Sequence, residues 1–157
     1  MSATAYIDER GLAWFFVRIA GSRGSAIYHG CIDTGATYCV LSEHNCTTLG
    51  LTRHSDKLKV SLITVKGDTS AKIFIAPSMA IEGKKLKAIN VEIAAKKVPG
   101  FPLILGMSFL SQFNWSFNKR RKEFTILKDC MQKIEIEKMQ NTKVNRKNYW
   151  KPLDTLS

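Results

Sequence analysis

The sequence predicts an all-β domain, a small barrel or sandwich with one or two short helices. About seven short runs are rich in β-branched and aromatic residues or alternate between apolar and polar residues, as strands do. Residues typical of turns separate these runs at intervals of ~8–12 positions. A chain of 157 residues, 45% of them apolar, is long enough for one domain with a sizeable core.

The first third of the chain contains a predicted hairpin and a predicted helix. Residues 1–11 are polar and are expected to form an arm. Residues 12–20 and 26–32 are the predicted strands of one hairpin, because two glycines lie in the turn between them. A short helix is expected between Ser42, a good N-cap residue, and Gly50, a good C-terminal stop.

Further hairpins are predicted along the rest of the chain. Residues 103–105 form a buried apolar run that Gly106 ends. Residues 129–157 are charged and amide-rich, so this segment is expected to be a basic, mobile tail. The other predicted elements are strands at 58–65 and 71–75, a hairpin over 79–93, helical turns at 107–113, and a hairpin with arms at 114–117 and 123–127.

The charge of the chain is +11 and is distributed unevenly. Residues 1–78 contain 8 Lys and Arg against 6 Asp and Glu, whereas residues 79–157 contain 16 against 7. A basic half of this kind occurs in proteins that bind nucleic acids or anionic membranes. Solvated lysines on the surface of a globular protein are the preferred interpretation, so no nucleic-acid partner is expected.

The cysteine and histidine residues do not predict a metal site. No Cys-x-x-Cys pair occurs, and the three histidines have no ligand spacing relative to the four cysteines. Buried thiols in a reducing compartment are expected instead, with no metal and no cofactor. The sequence shows neither a signal peptide nor a run of ~18 apolar residues. A cytoplasmic location without a membrane segment is therefore predicted.

Asp33 is the strongest candidate for chemistry because it follows an apolar strand directly. Apolar neighbours are expected to hold its carboxylate out of water, which is unfavourable unless something compensates it. The residues that follow, Thr34 and Gly35, also suit an ordinary turn. Asp33 alone therefore does not decide between a structural turn and a catalytic loop.

Three stretches follow one another in the chain: Asp33-Thr34-Gly35-Ala36, a hairpin at 64–71 and the apolar-apolar-Gly turn that ends at Gly106. The chain resembles the retropepsin-like aspartic proteases in this order, and residues 105–110 are similar to the bacterial single-domain branch of that family. The resemblance covers residues 12–128 as one protease domain. It implies a closed barrel of the retropepsin type that forms a two-fold dimer.

The resemblance implies a homodimeric aspartic endopeptidase that cleaves extended peptides. Each copy would supply one Asp33, and two adjacent carboxylates share a proton so that one acts as base and the other as acid. Activity at acidic to near-neutral pH is expected. Thr34 would bond across the dimer axis, and Gly35 would allow close approach of the backbone. The residues expected to bind substrate are Ala36, Ile63, Val65, Gly67 and Ile104.

Two other functions stay open at this point. A retropepsin-like dimer with an incomplete site would bind peptides without cleaving them. A nucleic-acid-binding protein would use the basic second half, but it would need aromatic residues on the same face as the basic turn at 119–122. Family members often anchor their dimers through paired chain ends, and residues 129–157 extend beyond that point.

Overall fold

The computed structural model describes residues 1–54, 60–64 and 67–128, without the side chains of residues 60–64, 68 and 69. This part of the chain forms eleven strands and two short helices. In chain order they are β1 (Ser2–Tyr6), β2 (Trp14–Gly21), β3 (Gly24–Ile32), β4 (Cys39–Ser42), α1 (Glu43–Leu49), β5 (Thr52–Arg53), β6 (Val60–Thr64), β7 (Gly67–Ile81), β8 (Lys87–Lys96), β9 (Leu103–Leu105), α2 (Met107–Leu110), β10 (Asn114–Asn118) and β11 (Glu123–Leu127).

Six strands close into a barrel in the order β2-β3-β9-β4-β8-β7, and β7 pairs back onto β2. The pairing of Arg18 with Ala80 is one of the contacts that close it. Closure removes open edges from most of these strands. The predicted all-β class, the closed barrel and the short helices are confirmed, whereas the two-fold dimer stays a prediction.

The strand β9 lies between β3 and β4, although these two strands are consecutive in the sequence. It runs parallel to β3, where Cys31 pairs with Ile104, and antiparallel to β4, where Val40 pairs with Ile104. The loop of residues 33–38 that joins β3 to β4 therefore passes the carboxyl end of β9. This crossing brings the predicted catalytic loop to the segment that begins at Gly106.

Alternation along the strands separates two apolar clusters. The main core fills the barrel with side chains that are fully buried, among them Val17, Leu41, Ile93 and Leu105. On the opposite face of the sheet, an outer cluster contains Ala71, Ile73 and Ala94, with Tyr38 and Val40 packed against it. Successive residues of a strand point to opposite faces, so neighbouring positions of one strand serve different clusters.

The helix α1 begins and ends where the sequence predicts. The Ser42 hydroxyl accepts a hydrogen bond from the Asn45 N–H, and Gly50 adopts the left-handed conformation at φ 71°. Lys72 on β7 donates a hydrogen bond to Glu43 Oε1 at 2.8 Å and lowers the pKa of that carboxyl group. This ion pair connects α1 to the strand that continues the β6–β7 hairpin.

Residues 1–11, expected to form an arm, include the strand β1. This strand pairs with β11, which in turn pairs with β10, and we call these three strands the terminal sheet. Ala3 and Ala5 belong to the main core. Two small apolar residues give a weak strand signal, and the pairing partner lies at the far end of the described chain. The domain boundaries at 12 and 128 stay predictions, and 129–157 lies outside the described residues.

A second difference concerns β7, which is one strand of 15 residues rather than parts of two hairpins. Pairing with β8 occurs at Ala76 and at Ser78, on either side of Pro77. Proline donates no backbone hydrogen bond and predicts a break, but here it occupies a gap in the ladder without ending the strand. The short strand β5 was not predicted either.

The stability of the terminal sheet is expected to depend on the burial of the Ile126 side chain. Replacing Ile126, which is fully buried in the main core, by alanine is expected to lower the free energy of unfolding by about 2–5 kcal/mol because it leaves a cavity. Chemical denaturation at fixed protein concentration measures this change. The adjacent Leu127 is 41% exposed, and Leu127→Ala is the matched control with a much smaller expected effect. Equal losses for the two variants would contradict the proposed packing.

Candidate active site

The loop that follows β3 is held by its own hydrogen bonds and by β9. The Asp33 N–H donates to the Leu105 carbonyl at 3.0 Å, which fixes the start of the loop to the end of β9. Asp33 Oδ1 accepts from the Gly35 N–H at 3.0 Å, and the Ala36 N–H donates to the Asp33 carbonyl at 3.2 Å. This arrangement is an Asx turn, so the same residues that suggest chemistry also form the turn.

The expectation that apolar neighbours hold Asp33 out of water is wrong for the single chain. Asp33, Thr34 and Gly35 are all exposed, and Ala36 is half-buried. The loop projects beyond the ends of β3 and β9, where the apolar residues of those strands no longer surround it. The carboxylate is therefore accessible from outside the protomer.

The far side of the loop is held by the start of α2. The Met107 N–H donates to the Ala36 carbonyl at 2.7 Å, and the Ser108 N–H donates to the Thr37 carbonyl at 2.9 Å. The first N–H groups of a helix have no partner within the helix, and Gly106 offers no side chain to cap them. The loop carbonyls take that role, so loop and helix fix each other.

Gly106 is required at this junction for space. A Cβ at position 106 would lie 2.7 Å from the Ala36 carbonyl oxygen and closer still to the Tyr38 carbonyl oxygen. Both obstacles are backbone atoms and cannot rotate away as a flexible side chain would. The glycine of the apolar-apolar-Gly turn thus allows α2 to approach the loop.

Ile104 lies on the outer face of the barrel, in one row with its register partners Cys31 and Val40. Its neighbours Leu103 and Leu105 point into the main core instead. Ile104 and Val40 are half-buried, and Cys31 is 7% exposed. Val40 was not predicted as part of the site. Cys39, Val40 and Leu41 are all apolar, so the sequence contains no alternation that would have separated Val40 from its two core neighbours.

The β6–β7 hairpin occupies the predicted flap position in the sequence. Ile63 pairs with Asp68 and Thr64 pairs with Gly67, which are the last described pairs of this hairpin. Gly67 is exposed and has φ 109°, a conformation that favours glycine. The strand β7 continues from the hairpin to Ala71 and Ile73 of the outer cluster, against which Tyr38 and Val40 pack. Val65 and the Ile63 side chain lie outside the described residues, so their predicted substrate contacts stay predictions.

Three described cysteines are free and buried, as predicted for packing residues. Burial raises the pKa of the Cys31 thiol, and the nearby charges of Asp33 and Asp8 raise it further. Burial also raises the pKa of Cys39 to about 11 and that of Cys46 to about 12. Since these thiols are protonated at neutral pH, they are poor nucleophiles.

In the part of the chain that the structure describes, there is no metal site, and a surface cavity beside α1 lies away from the Asp33 loop. No group of three His, Cys, Asp or Glu side chains within it is arranged to hold a metal ion. A surface cavity of about 360 Å³ lies between α1 and residues 96–99 and includes none of the predicted site residues. None of the described helices is long and apolar enough to cross a membrane.

The sequence profile of the family described as "gag-polyprotein putative aspartyl protease" matches residues 19–112. No curated protein matches the chain. Among solved structures, the crystal structure of a retropepsin-like aspartic protease from Rickettsia conorii is similar, with a TM-score of 0.60 and 18% sequence identity. The similarity covers 80% of this chain and 89% of that chain and concerns the fold. Since the profile spans more than half of the chain and includes the Asp33 loop and Gly106, the chain belongs to this aspartyl protease family and has the retropepsin-like fold.

Proposed function

We propose that this protein is a homodimeric aspartic endopeptidase that hydrolyses peptide bonds in extended polypeptides through two Asp33 carboxylates, one from each copy. The observation that carries the proposal is the geometry of the Asp33 loop. Its start is hydrogen-bonded to Leu105 and its end to the first turn of α2, in a chain whose family supports a protease function. A loop held at both ends can present a carboxylate in a fixed orientation.

The chemistry requires a second carboxylate. Cleavage of an amide by water needs a base that removes a proton from water and an acid that protonates the carbonyl oxygen. Two carboxyl groups about 3 Å apart share one proton and supply both functions. The chain contains a single Asp-Thr-Gly, and Asp33 is exposed, so a second copy related by a two-fold axis can bring its own Asp33 to the first.

The proposed reaction proceeds in two steps with no covalent intermediate on the protein. The ionised Asp33 takes a proton from water as the water oxygen attacks the peptide carbonyl carbon, and the protonated Asp33 of the second copy gives its proton to the carbonyl oxygen. The proton acquired from water then passes to the amide nitrogen as the C–N bond breaks, while the Asp33 of the second copy takes back a proton from a hydroxyl group of the tetrahedral intermediate as the carboxyl product forms. The roles of Thr34 across the axis and of Gly35 under the reacting groups are part of this proposal.

The terminal sheet supplies a surface for the second copy. Within the described residues no strand pairs with the outer edge of β10. Trp115 and Phe117 on β10 share a face of the sheet with the buried Phe124 and Ile126, yet they are 37% and 53% exposed. An open edge with exposed aromatic residues is prone to pair with another chain. We assign this edge to the dimer.

Peptide binding is assigned to the space between the β6–β7 hairpin and the outer row of Cys31, Ile104 and Val40. Ala36 is small and half-buried at the end of the Asp33 loop, so a substrate backbone can approach there. An extended peptide would bind as an added strand, with its side chains directed alternately to the barrel and to the hairpin. Gly67 allows the hairpin turn and suits a flap that closes over the peptide.

One observation bears on the nucleic-acid alternative. Trp115 and Phe117 lie on one face of β10, immediately before the basic turn at 119–122. Bases of a single strand stack on aromatic side chains beside such charges. Because these aromatic residues share a sheet face with the buried Phe124 and Ile126, we favour a protein partner there. Non-catalytic peptide binding and the cytoplasmic location stay open predictions.

Asp33→Asn is expected to abolish peptide cleavage and to leave the fold intact, because an amide cannot act as the base and the side chain is exposed. Cleavage of a denatured protein followed by mass spectrometry measures activity, and circular dichroism measures folding. The control Glu82→Gln makes the same change on a carboxylate that pairs with Arg18 and should keep activity. Cleavage by Asp33→Asn at the wild-type rate would refute the assignment.

A mixing experiment tests whether the two carboxylates act together. Adding an equal amount of Asp33→Asn protein to wild type, with time for subunit exchange, is expected to lower total activity to about half, because mixed dimers carry one carboxylate. Glu82→Gln added in the same amount should not lower it. Activity that is insensitive to the added Asp33→Asn protein would indicate catalysis by a single chain.

Phe117→Glu is expected to convert the dimer to a folded monomer without activity, since a charge at this edge opposes pairing with a second copy. Sedimentation velocity over a range of concentrations measures the association. Phe16→Glu is the matched control, because Phe16 is 60% exposed on β2 and outside the terminal sheet. If Phe117→Glu stays dimeric and active, the interface lies elsewhere. If wild type binds single-stranded nucleic acid in a salt-sensitive way and Phe117→Glu does not, the edge binds nucleic acid instead.

A further inference from the structure

Ser108, in the first turn of α2, connects three elements that meet beside the Asp33 loop. Its N–H donates to the Thr37 carbonyl at 2.9 Å. Its hydroxyl oxygen accepts from the Cys39 N–H at 2.9 Å and donates to the Glu92 carbonyl at 2.7 Å. We propose that Ser108 is a positioning residue of the active site, which holds the loop after Asp33 in a fixed position relative to β8. This inference rests on the proposed function.

The proton of the hydroxyl group decides how these bonds are arranged. A serine hydroxyl has one proton, and the short distance to the Glu92 carbonyl assigns the proton to that bond. The same oxygen then accepts from the Cys39 N–H and lies 3.4 Å from Cys39 Sγ. Cys39 is fully buried, so its N–H would have no acceptor if the hydroxyl were removed.

The position of these bonds in the chain connects Ser108 to the reaction. The Asp33 N–H is fixed to Leu105 at the start of the loop. Ser108 fixes the end of the loop through Thr37 and through Cys39. Thr34, Gly35 and Ala36, the residues assigned to the dyad and to the substrate backbone, lie between these two attachments. A displacement of about 1 Å in a reacting group can cost roughly 100-fold in rate.

Gln112 provides an internal comparison. It follows α2 and also attaches this region to β8, where its side-chain Nε2 donates to the Ile89 carbonyl at 2.8 Å and its Oε1 accepts from the Ile89 N–H at 3.0 Å. Gln112 and Ser108 thus each make two side-chain hydrogen bonds to the backbone. Those of Gln112 reach only β8, whereas one of those of Ser108 reaches the strand that the catalytic loop enters.

The experiment compares Ser108→Ala, Ser108→Thr and Gln112→Ala in the dimeric protein, with kcat, KM and Tm measured on a peptide that wild type cleaves. Ser108→Ala is expected to lower kcat by about 10-fold or more with little change in KM, because the reacting groups lose alignment. Ser108→Thr keeps the hydroxyl and is expected to restore kcat. Gln112→Ala is expected to lower Tm without lowering kcat. A loss of kcat in Gln112→Ala equal to that in Ser108→Ala, or none in Ser108→Ala, overturns the proposal.

Hydrogen exchange separates failure of this inference from failure of the proposed function. Wild type without any peptidase activity would refute the function, and the role of Ser108 would then be decided by amide exchange in the loop. Ser108→Ala is expected to accelerate exchange at Ala36 and Cys39, whereas Gln112→Ala should leave both unchanged. Unaltered exchange at these two amides in Ser108→Ala would refute the positioning role whether or not the protein cleaves peptides.

Discussion

The close backbone contact between Gly106 and the loop at 36–38 is the constraint on which the site depends. Asp33 is exposed, so packing does not immobilise its side chain. Order must come from the backbone, through the bond from Asp33 to Leu105 and through the loop carbonyls that cap α2. The bonds from the loop carbonyls to α2 form only if α2 starts directly against the loop. A side chain at position 106 would prevent this because the nearest atoms are carbonyl oxygens.

The barrel topology makes this contact possible. Because β9 lies between β3 and β4, the chain must cross from one side of β9 to the other after Asp33. The crossing produces a loop that surrounds the end of β9, where α2 begins. The same insertion gives β9 two neighbours, so its side chains divide between the main core and the outer row. Ile104 therefore lies on the outer face, where the peptide is proposed to bind, while Leu103 and Leu105 pack in the main core.

The single chain has the retropepsin-like fold, and two of its exposed features are the ones to which the proposed dimer assigns a partner. One is the exposed carboxylate of Asp33, which needs a second acid for amide hydrolysis. The other is the edge of β10, which no described strand covers and which carries the exposed aromatic residues Trp115 and Phe117. Short connections join both surfaces to the barrel, since α2 leads from the Asp33 loop toward β10 and residues 7–13 lead from β1 to β2. In the proposed dimer, the second copy would supply both the second carboxylate and a partner for β10.

The local features of this protein follow from residues that are close together in the chain. Gly21 and Gly24 at the first hairpin, Ser42 and Gly50 at the ends of α1, and the Asp33 turn each depend on residues close in the chain. Tertiary structure alone decided the features that depend on distant partners. The strand β1 exists because β11 is available to pair with it. Pro77 lies within a continuous strand because β8 pairs with the residues on both sides of it. Asp33 is exposed because β3 ends directly before it and the neighbouring strand β9 ends at Leu105. Turns and helix ends depend on the conformational preferences of neighbouring residues, whereas burial and strand pairing depend on which distant segments the closed barrel brings together.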